Sequence, residues 1–583
     1  MEVYLLKNII NYNNVSYSYP NADEEVLKNI DLNIKEAKFT VIMGPTGAGK
    51  TTLVSCLNGL IPQLFEGKLT GEITVAGQNI SNFRVQTLVK YIGLVLQDAE
   101  TQIFGRTVEE DTAFGPRNFS IPKEEISNRV DEALSRVRLD GYKKRNTGEL
   151  SGGEKQRLAI AGVLAMMPKI LVLDEPTSEL DPIGRMEIYT TIDDLRKENR
   201  LTLIGIEHSS QEIIDKADEL IVINNCSVVW QGEPKLLFRD IEKLNSFCIK
   251  PIPVSIIGWS LYKKGLIEYD QIPLDIDEAE LIIRRLFTDR KAMFTGCSID
   301  LMASTTLTDD RPILQIKDVD YHYSSGKLAL KKINLDINQG EFIALIGQNG
   351  AGKTTLAKHL NGLLKPTAGQ VIINKKNSKD FELAQLAKEV GYVFQNPDHQ
   401  IFCVTVEKEI EYGLKNAGFS AQEIKERTER VLELTSLTKF RNAHPFSLGK
   451  GERQMIAVAS ILAIEPKILV VDEPTTGLDW NGINRMMELI KTLHKNGTTI
   501  IMITHDMDIV AKYAERIIVM KAGQVLMDGR TREVFSEFQQ LKSAYVMPPQ
   551  IPLLSLRLKD LGMKDIALDE QELTTAILES LEG

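Results

Sequence analysis

The sequence predicts an α/β fold made twice over, each copy built around a parallel sheet. Three observations point there. Short, unbroken apolar runs stop at glycine-rich or acidic turns, as strands buried on both faces do. Stretches of helical periodicity separate the runs, the alternation expected of a parallel sheet with helices on both faces. The same series of motifs then recurs, in order, in the second half of the 583-residue chain.

The runs come in pairs. Residues 39–43 and 342–346 lead into glycine-rich turns, 170–173 and 468–471 end at Asp-Glu, and 201–206 and 498–503 each run up to a histidine. Lys50 and Lys353 lie 303 positions apart, Gln97 and Gln395 298, Asp174 and Asp472 298, and His208 and His505 297. The drop after the first pair places about five extra residues in the first copy, near 63–70. Kept order and near-constant offset define a tandem duplication. It reaches the tails as well. Pro251 to Gly265 has the spacing of Pro548 to Gly562, and each is followed by an acidic stretch with helical spacing, 277–287 and 569–581.

Composition sets the class. With 69 Lys+Arg against 80 Asp+Glu the formal net charge is −11, and 43% hydrophobic with 26% charged residues is ordinary for a globular protein. A sequence pI near 5.4 argues against a nucleic-acid coat, whose affinity rests on basic side chains. No run approaches the ~18–20 apolar residues of a membrane span. The central apolar run, 252–261, is short and holds Ser255, Gly258 and Ser260. No signal peptide is apparent. The expectation is a chain with no membrane span of its own and no nucleic-acid partner. Cys56, Cys226, Cys248, Cys297 and Cys403 are odd in number and lack zinc or redox spacing, so buried reduced thiols are expected.

Gly44, Pro45, Thr46, Gly47, Ala48, Gly49, Lys50, Thr51 and Thr52 recur as Gly347, Gln348, Asn349, Gly350, Ala351, Gly352, Lys353, Thr354 and Thr355. A glycine-rich turn between a strand and a helix lets backbone N–H groups wrap phosphate oxygens at the helix's positive end. In this P-loop the lysine reaches the β- and γ-phosphates and the first threonine ligates Mg²⁺. Downstream, Asp174 and Asp472 at strand ends suit a hydrated Mg²⁺, and Glu175 and Glu473 suit polarising the attacking water. ATP and Mg²⁺ are the expected ligands.

Leu150-Ser-Gly-Gly-Glu-Lys-Gln-Arg157, between the P-loop and Asp174, resembles the signature motif of ATP-binding cassette (ABC) ATPases. The resemblance runs through almost the whole chain, twice. It implies tandem P-loop NTPase cassettes, each with a parallel-sheet core, a helical subdomain and a small C-terminal module. The division it suggests is 8–248 for the first cassette, 249–287 for its module, 288–311 for a linker, 312–545 for the second cassette and 546–583 for its module.

The resemblance further implies head-to-tail pairing of the two cassettes within one chain, each ATP lying between one P-loop and the other copy's signature turn. Ser151, Gly152 and Gly153 would then face one nucleotide. Gln97 and Gln395 would sense the metal and couple to a membrane partner. His208 and His505 would hold the γ-phosphate and the water, and Tyr19 and Tyr323 would stack on adenine. In the second copy, setting Phe446–Arg453 against Leu150–Arg157 keeps Ser447 and Gly449 but places Leu448 at Gly152. Unequal sites are therefore expected, the Lys353 site hydrolysing faster. Glu179, where the second copy has Gly477, is a further difference.

Leu57-Asn-Gly-Leu60, Leu360-Asn-Gly-Leu363 and Phe394-Gln-Asn-Pro-Asp-His-Gln-Ile-Phe402 resemble the ATPases of energy-coupling-factor importers of vitamins and metals. The first copy carries a diluted form, Leu96-Gln-Asp-Ala-Glu-Thr-Gln-Ile-Phe104. That resemblance implies a transmembrane scaffold subunit, a small membrane substrate-binding subunit and a peripheral place on the cytoplasmic face of the membrane. A tandem ATPase acting on ribosomes is the alternative. It would carry a long charged arm between the copies, whereas here much of the segment after 248 repeats the C-terminal tail.

Overall fold

Phe39–Met43, Ile170–Asp174 and Thr202–Ile206 are buried along their whole length. A strand buried on both faces must be a central one, so continuous apolar runs mark the middle of a sheet. The computed structural model describes residues 7–20, 24–178, 180, 182–197, 201–208, 211–294, 312–323, 326 and 328–582. The chain divides into two compact units, residues 1–252 and 253–583.

In the first unit a six-stranded sheet runs Ser227–Gly232, Glu219–Asn224, Phe39–Met43, Thr202–Ile206, Ile170–Asp174, Ile92–Val95. All neighbours are parallel except the first pair, which is an antiparallel edge. The second unit repeats it: Val390–Val393, Ile468–Asp472, Thr499–Ile503, Phe342–Ile346, Arg516–Lys521, with Gln524–Arg530 antiparallel at the edge.

The expectation of helices on both faces needs a correction. One face of each sheet is shared with a second, antiparallel four-stranded sheet. In the first unit it is Leu27–Lys35, Asn8–Ser18, Lys68–Val75 and Gln78–Asn79; in the second, Leu328–Asn338, Pro312–His322, Ala368–Ile373 and Lys376–Asn377. Strand alternation explains the two layers. Phe342, Ala344 and Ile346 pack into a core with helices, while Ile343 and Leu345 join Leu314, Ile316, Ile333 and Val371 of the antiparallel sheet and Leu356 of the P-loop helix.

The tails pack together inside the second unit. Pro253–Lys263 and Ile276–Arg290 of the first copy lie against Gln550–Arg557 and Glu570–Glu582 of the second. Each pair alone would leave an amphipathic face in water; together they bury Ile257, Ile283, Leu554 and Ile577. Arg284 pairs with Asp560, Arg557 with Asp277 and Glu280, and the Phe294 N–H donates to the Leu561 carbonyl. The unit boundary thus falls before Pro253. Residues 295–311 of the expected linker, Glu179 and Cys297 lie outside the described residues. Of the other thiols only Cys56 is buried, and burial pushes it up to about 12; Cys226, Cys248 and Cys403 are half-buried, which corrects the expectation for them.

Candidate nucleotide-binding and hydrolysis sites

The glycines of the two P-loops adopt the same unusual backbone. Gly44, Gly47 and Gly49 have φ of 144°, 79° and 99°; Gly347, Gly350 and Gly352 have 142°, 78° and 104°. A Cβ at Gly44 would sit 2.0 Å from the Ile223 carbonyl oxygen, and one at Gly347 2.2 Å from that of Met520. These glycines let the loop lie against the neighbouring strand. A Cβ at Gly47 or Gly350 would meet nothing within 4 Å, so this side of each loop is open, as a phosphate cradle requires.

Pro45 and Ala48, and Gln348 and Ala351, close each loop by an N–H to carbonyl bond of 3.2 and 3.1 Å. Lys50 donates to the carbonyls of Gly44 and Pro45, both at 2.9 Å; Lys353 donates to Gly347 at 2.6 Å and Gln348 at 3.1 Å. Both lysines are thereby held over the cradle. Thr52 and Thr355 are buried, their hydroxyls meeting those of Tyr19 at 3.2 Å and Tyr323 at 2.8 Å. Each tyrosine ring stands edge-on to its neighbour, Tyr17 or Tyr321, and stays more than a third exposed beside the P-loop helix.

The strand beside the P-loop strand's neighbour delivers the acids. Asp174 pairs in register with Ile206 and Asp472 with Ile503. Burial first, then Glu175, push Asp174 up to about 6, while Thr51 and Lys50 act the other way. Asp472 is raised by burial and is steadied by donors from Tyr392 and Thr354. A threonine hydroxyl and a carboxylate, oxygen donors only, fit Mg²⁺, which keeps most of its shell as water and phosphate oxygens. Among the described residues no cluster of three or more His, Cys, Asp or Glu competes as a metal centre.

Glu175 and Glu473 sit in left-handed backbone, φ 48° and 50°, a conformation costing a non-glycine residue about 1–2 kcal/mol. The adjacent strand holds them there, since their N–H groups donate to Ile206 at 3.0 Å and Ile503 at 2.8 Å. Their surroundings then diverge. Glu175 takes a bond from Gln97 at 2.9 Å and lies 2.7 Å from His208 Nε2, and Gln97 also reaches Ser178 at 3.2 Å. Glu473 lies 3.3 Å from His505 Nε2, which also contacts Asn349 of the P-loop at 3.0 Å, while Gln395 is exposed. Burial, then Asp472, push Glu473 up to about 8.

The signature turns differ from the expected pairing. Ser151 caps the helix Gly152–Leu164, its N–H donating to Glu154 and its Oγ accepting from the Glu154 N–H. The matching helix is Lys450–Leu462, also 13 residues long, and its cap is Gly449. Upstream, Asn146 and His444 cap the same kind of short turn. This register sets Leu448 against Leu150, Gly449 against Ser151, Lys450 against Gly152 and Gly451 against Gly153. Ser447 falls instead at Glu149, and its hydroxyl donates to the His444 carbonyl at 2.7 Å. The second copy thus lacks the serine hydroxyl and carries a lysine where the first has glycine; Leu448 is no departure.

The ABC transporter family profile matches residues 27–178 and 330–476, so it takes in both P-loops and both Asp-Glu pairs. The chain belongs to the ABC transporter ATPase family. Its two cassettes are therefore ATP-binding units of a family that hydrolyses ATP. Tyr19, Tyr323, His208, His505 and the tails lie outside the matched spans. A provisional ABC transporter ATP-binding protein of Caldanaerobacter subterraneus subsp. tengcongensis is 43% identical over 92% of this chain and 94% of its own length. A second, from Methanosarcina mazei, is 42% identical over 95% and 94%. Among solved structures, cbiO1 of Clostridium perfringens, described as part of the ABC transporter complex cbiONQ, is 37% identical over 40% of this chain and 94% of that one, with a TM-score of 0.36.

Sequence reasoning did not single out Tyr392, Asn349 as a histidine partner, Ser178 or Glu207 as site residues. Tyr392 and Glu207 carry no motif signal. Asn349 and Ser178 lie inside motifs whose neighbours drew the attention.

Proposed function

We propose that this chain is the ATP-hydrolysing energy-coupling subunit of a membrane importer of the energy-coupling-factor type, peripheral to the cytoplasmic face and carrying a vitamin, vitamin precursor or metal ion. The observation that supports it best is an apolar surface beside each Gln loop. Phe104 and Phe114 stack with centroids 5.5 Å apart, and Phe402 and Tyr412 meet edge-on at 4.6 Å; all four are exposed. Exposed aromatic pairs in matching places suit a protein partner. Among the described residues no helix is long and apolar enough to cross a membrane, so the span would come from a transmembrane scaffold joined to a small substrate-binding subunit.

In this reading the cassettes are 8–248 and 312–545, with modules 249–287 and 546–583. Each ATP bridges a P-loop of one and the signature turn of the other. Lys50 and Lys353 hold phosphates, Tyr19 and Tyr323 back the adenine, and Glu175 with His208, or Glu473 with His505, orient the attacking water. Thr51, Asp174 and Gln97, or Thr354, Asp472 and Gln395, would hold Mg²⁺, which supplies charge neutralisation at the β- and γ-oxygens. The Gln loop is tied to the signature helix by Lys155–Glu100 in one copy and Arg453–Asp398 in the other. Movement of the signature helix would therefore carry the partner surface with it.

Extraction in mild detergent tests the reading. A membrane protein should co-purify with the chain, and Phe104→Ser with Phe402→Ser should abolish that recovery. Recovery with ribosomes, and with no membrane protein, would favour the non-transport alternative.

A further inference from the structure

Two residues follow the strand Thr202–Ile206 and turn to opposite sides. His208 meets Glu175. Glu207 turns away, is 4% exposed, and its carboxylate lies 3.2 and 3.4 Å from the Thr177 hydroxyl. Burial, then Glu212 and Glu175, push its carboxyl up to about 8, with Tyr189 and Arg185 acting against them. Burial and the two like charges thus favour its protonated form.

These surroundings belong to the first copy alone. The helices Pro182–Lys197 and Trp480–Lys495, 16 residues each, align so that Arg185 and Tyr189 take the places of Ile483 and Met487. At the offset of the two histidines, Glu207 and Glu212 take those of Thr504 and Ile509. One polar and three apolar positions in one copy are thus four polar or charged ones in the other. A buried carboxyl introduced alone would be destabilising. Introduced with neighbours that hydrogen-bond it, it forms a network that fixes geometry. A cavity of about 220 Å³ lined by Arg185, Tyr189, Glu212 and Lys216 adjoins this network, a route for proton exchange with solvent.

We propose that Glu207 is a positioning residue of the Lys50 site: buried, accepting from the Thr177 hydroxyl and next in the chain to His208, it ties the turn carrying Glu175 and Thr177 to the segment carrying His208, and disturbing that arrangement slows hydrolysis at this site only. The inference rests on reading Glu175 and His208 as the hydrolytic pair. The groups facing Glu207 are Glu175 at the strand end, Thr177 on the next turn, Arg185 and Tyr189 on the helix and Glu212 beyond His208. Lys216 stands behind Tyr189, its amine 5.9 Å from the ring centre. An ionised Glu207 adds a second negative charge near Glu175, and like charges close together are strongly disfavoured.

The test uses the full chain carrying Glu473→Gln, so that turnover with magnesium ATP reports the Lys50 site. Its rate should fall about tenfold per pH unit above about 8, as one essential acid demands. Adding Glu207→Gln, which cannot ionise, should move that descent upward by at least one unit. In the Glu175→Gln chain, which reports the Lys353 site, the same addition should leave the pH profile superimposable. An unmoved descent, or an equal shift at both sites, overturns the proposal. A Lys50 site silent at every pH overturns the hydrolytic reading and the positioning role with it. Melting of the nucleotide-free chain then decides the state of the acid separately. The folded chain keeps a proton that the unfolded chain releases, so stability falls as pH rises from about 4.5 to about 8 and levels beyond. Glu207→Gln should flatten that slope, and an unchanged slope means the buried group is not a neutral acid.

Discussion

Gly44 and Gly47 lie three positions apart in one loop and are constrained for different reasons. A methyl on Gly44 would overlap the Ile223 carbonyl, so Gly44→Ala should destabilise the first unit by about 3 kcal/mol or more, combining overpacking with left-handed strain. Gly47→Ala meets only open space and should cost about 1–2 kcal/mol. Denaturant unfolding of the nucleotide-free chain separates the two. The corrected signature register makes a second prediction at this scale. Ser151-Gly-Gly153 is intact while its counterpart is Gly449-Lys-Gly451, so the Lys353 site, which the first signature would face, should hydrolyse faster. Single-turnover rates of Glu175→Gln should then exceed those of Glu473→Gln, and equal rates would contradict the asymmetry. P-loop and Asp-Glu residues were legible because their spacing alone specifies a phosphate cradle and a strand-end metal ligand. Ser447 misled because a Ser-x-Gly match is short, whereas the helix caps that settle the register are set by backbone. Glu207 gave no signal because a glutamate in sequence reads as surface.

At the scale of elements, the parallel strands could be read from apolar runs, but the antiparallel sheet could not. Leu27–Lys35 alternates buried and exposed, a pattern that leaves open which layer the buried face meets. The tails were legible as amphipathic helices, and their mutual packing was not, because periodicity names a buried face without naming its partner. That packing buries apolar side chains from both tails. Ile257→Ala or Leu554→Ala, both at most 1% exposed, should cost about 2–5 kcal/mol. Asp560→Ala, whose side chain is 64% exposed, should leave the stability nearly unchanged despite its pair with Arg284, because solvent screens an exposed ion pair. Hydrogen exchange across 253–290 should accelerate in the first two variants and hardly change in the third.

For the whole molecule, the two copies have diverged around their sites. The first copy has the serine-capped signature, the Gln97–Glu175–His208 cluster and the Glu207 network; the second has Lys450, Tyr392 on Asp472 and Asn349 on His505. Such divergence suits two sites with separate duties in one cycle, one holding nucleotide longer and the other turning over. The proposition beneath this is that each ATP is shared between copies. The direct measurement is a cryo-electron microscopy structure of the Glu175→Gln, Glu473→Gln chain with magnesium ATP. The account predicts the Ser151 hydroxyl within hydrogen-bonding distance of the γ-phosphate held by Lys353. Nucleotide bound at Lys353 with Ser151 turned to solvent would contradict it.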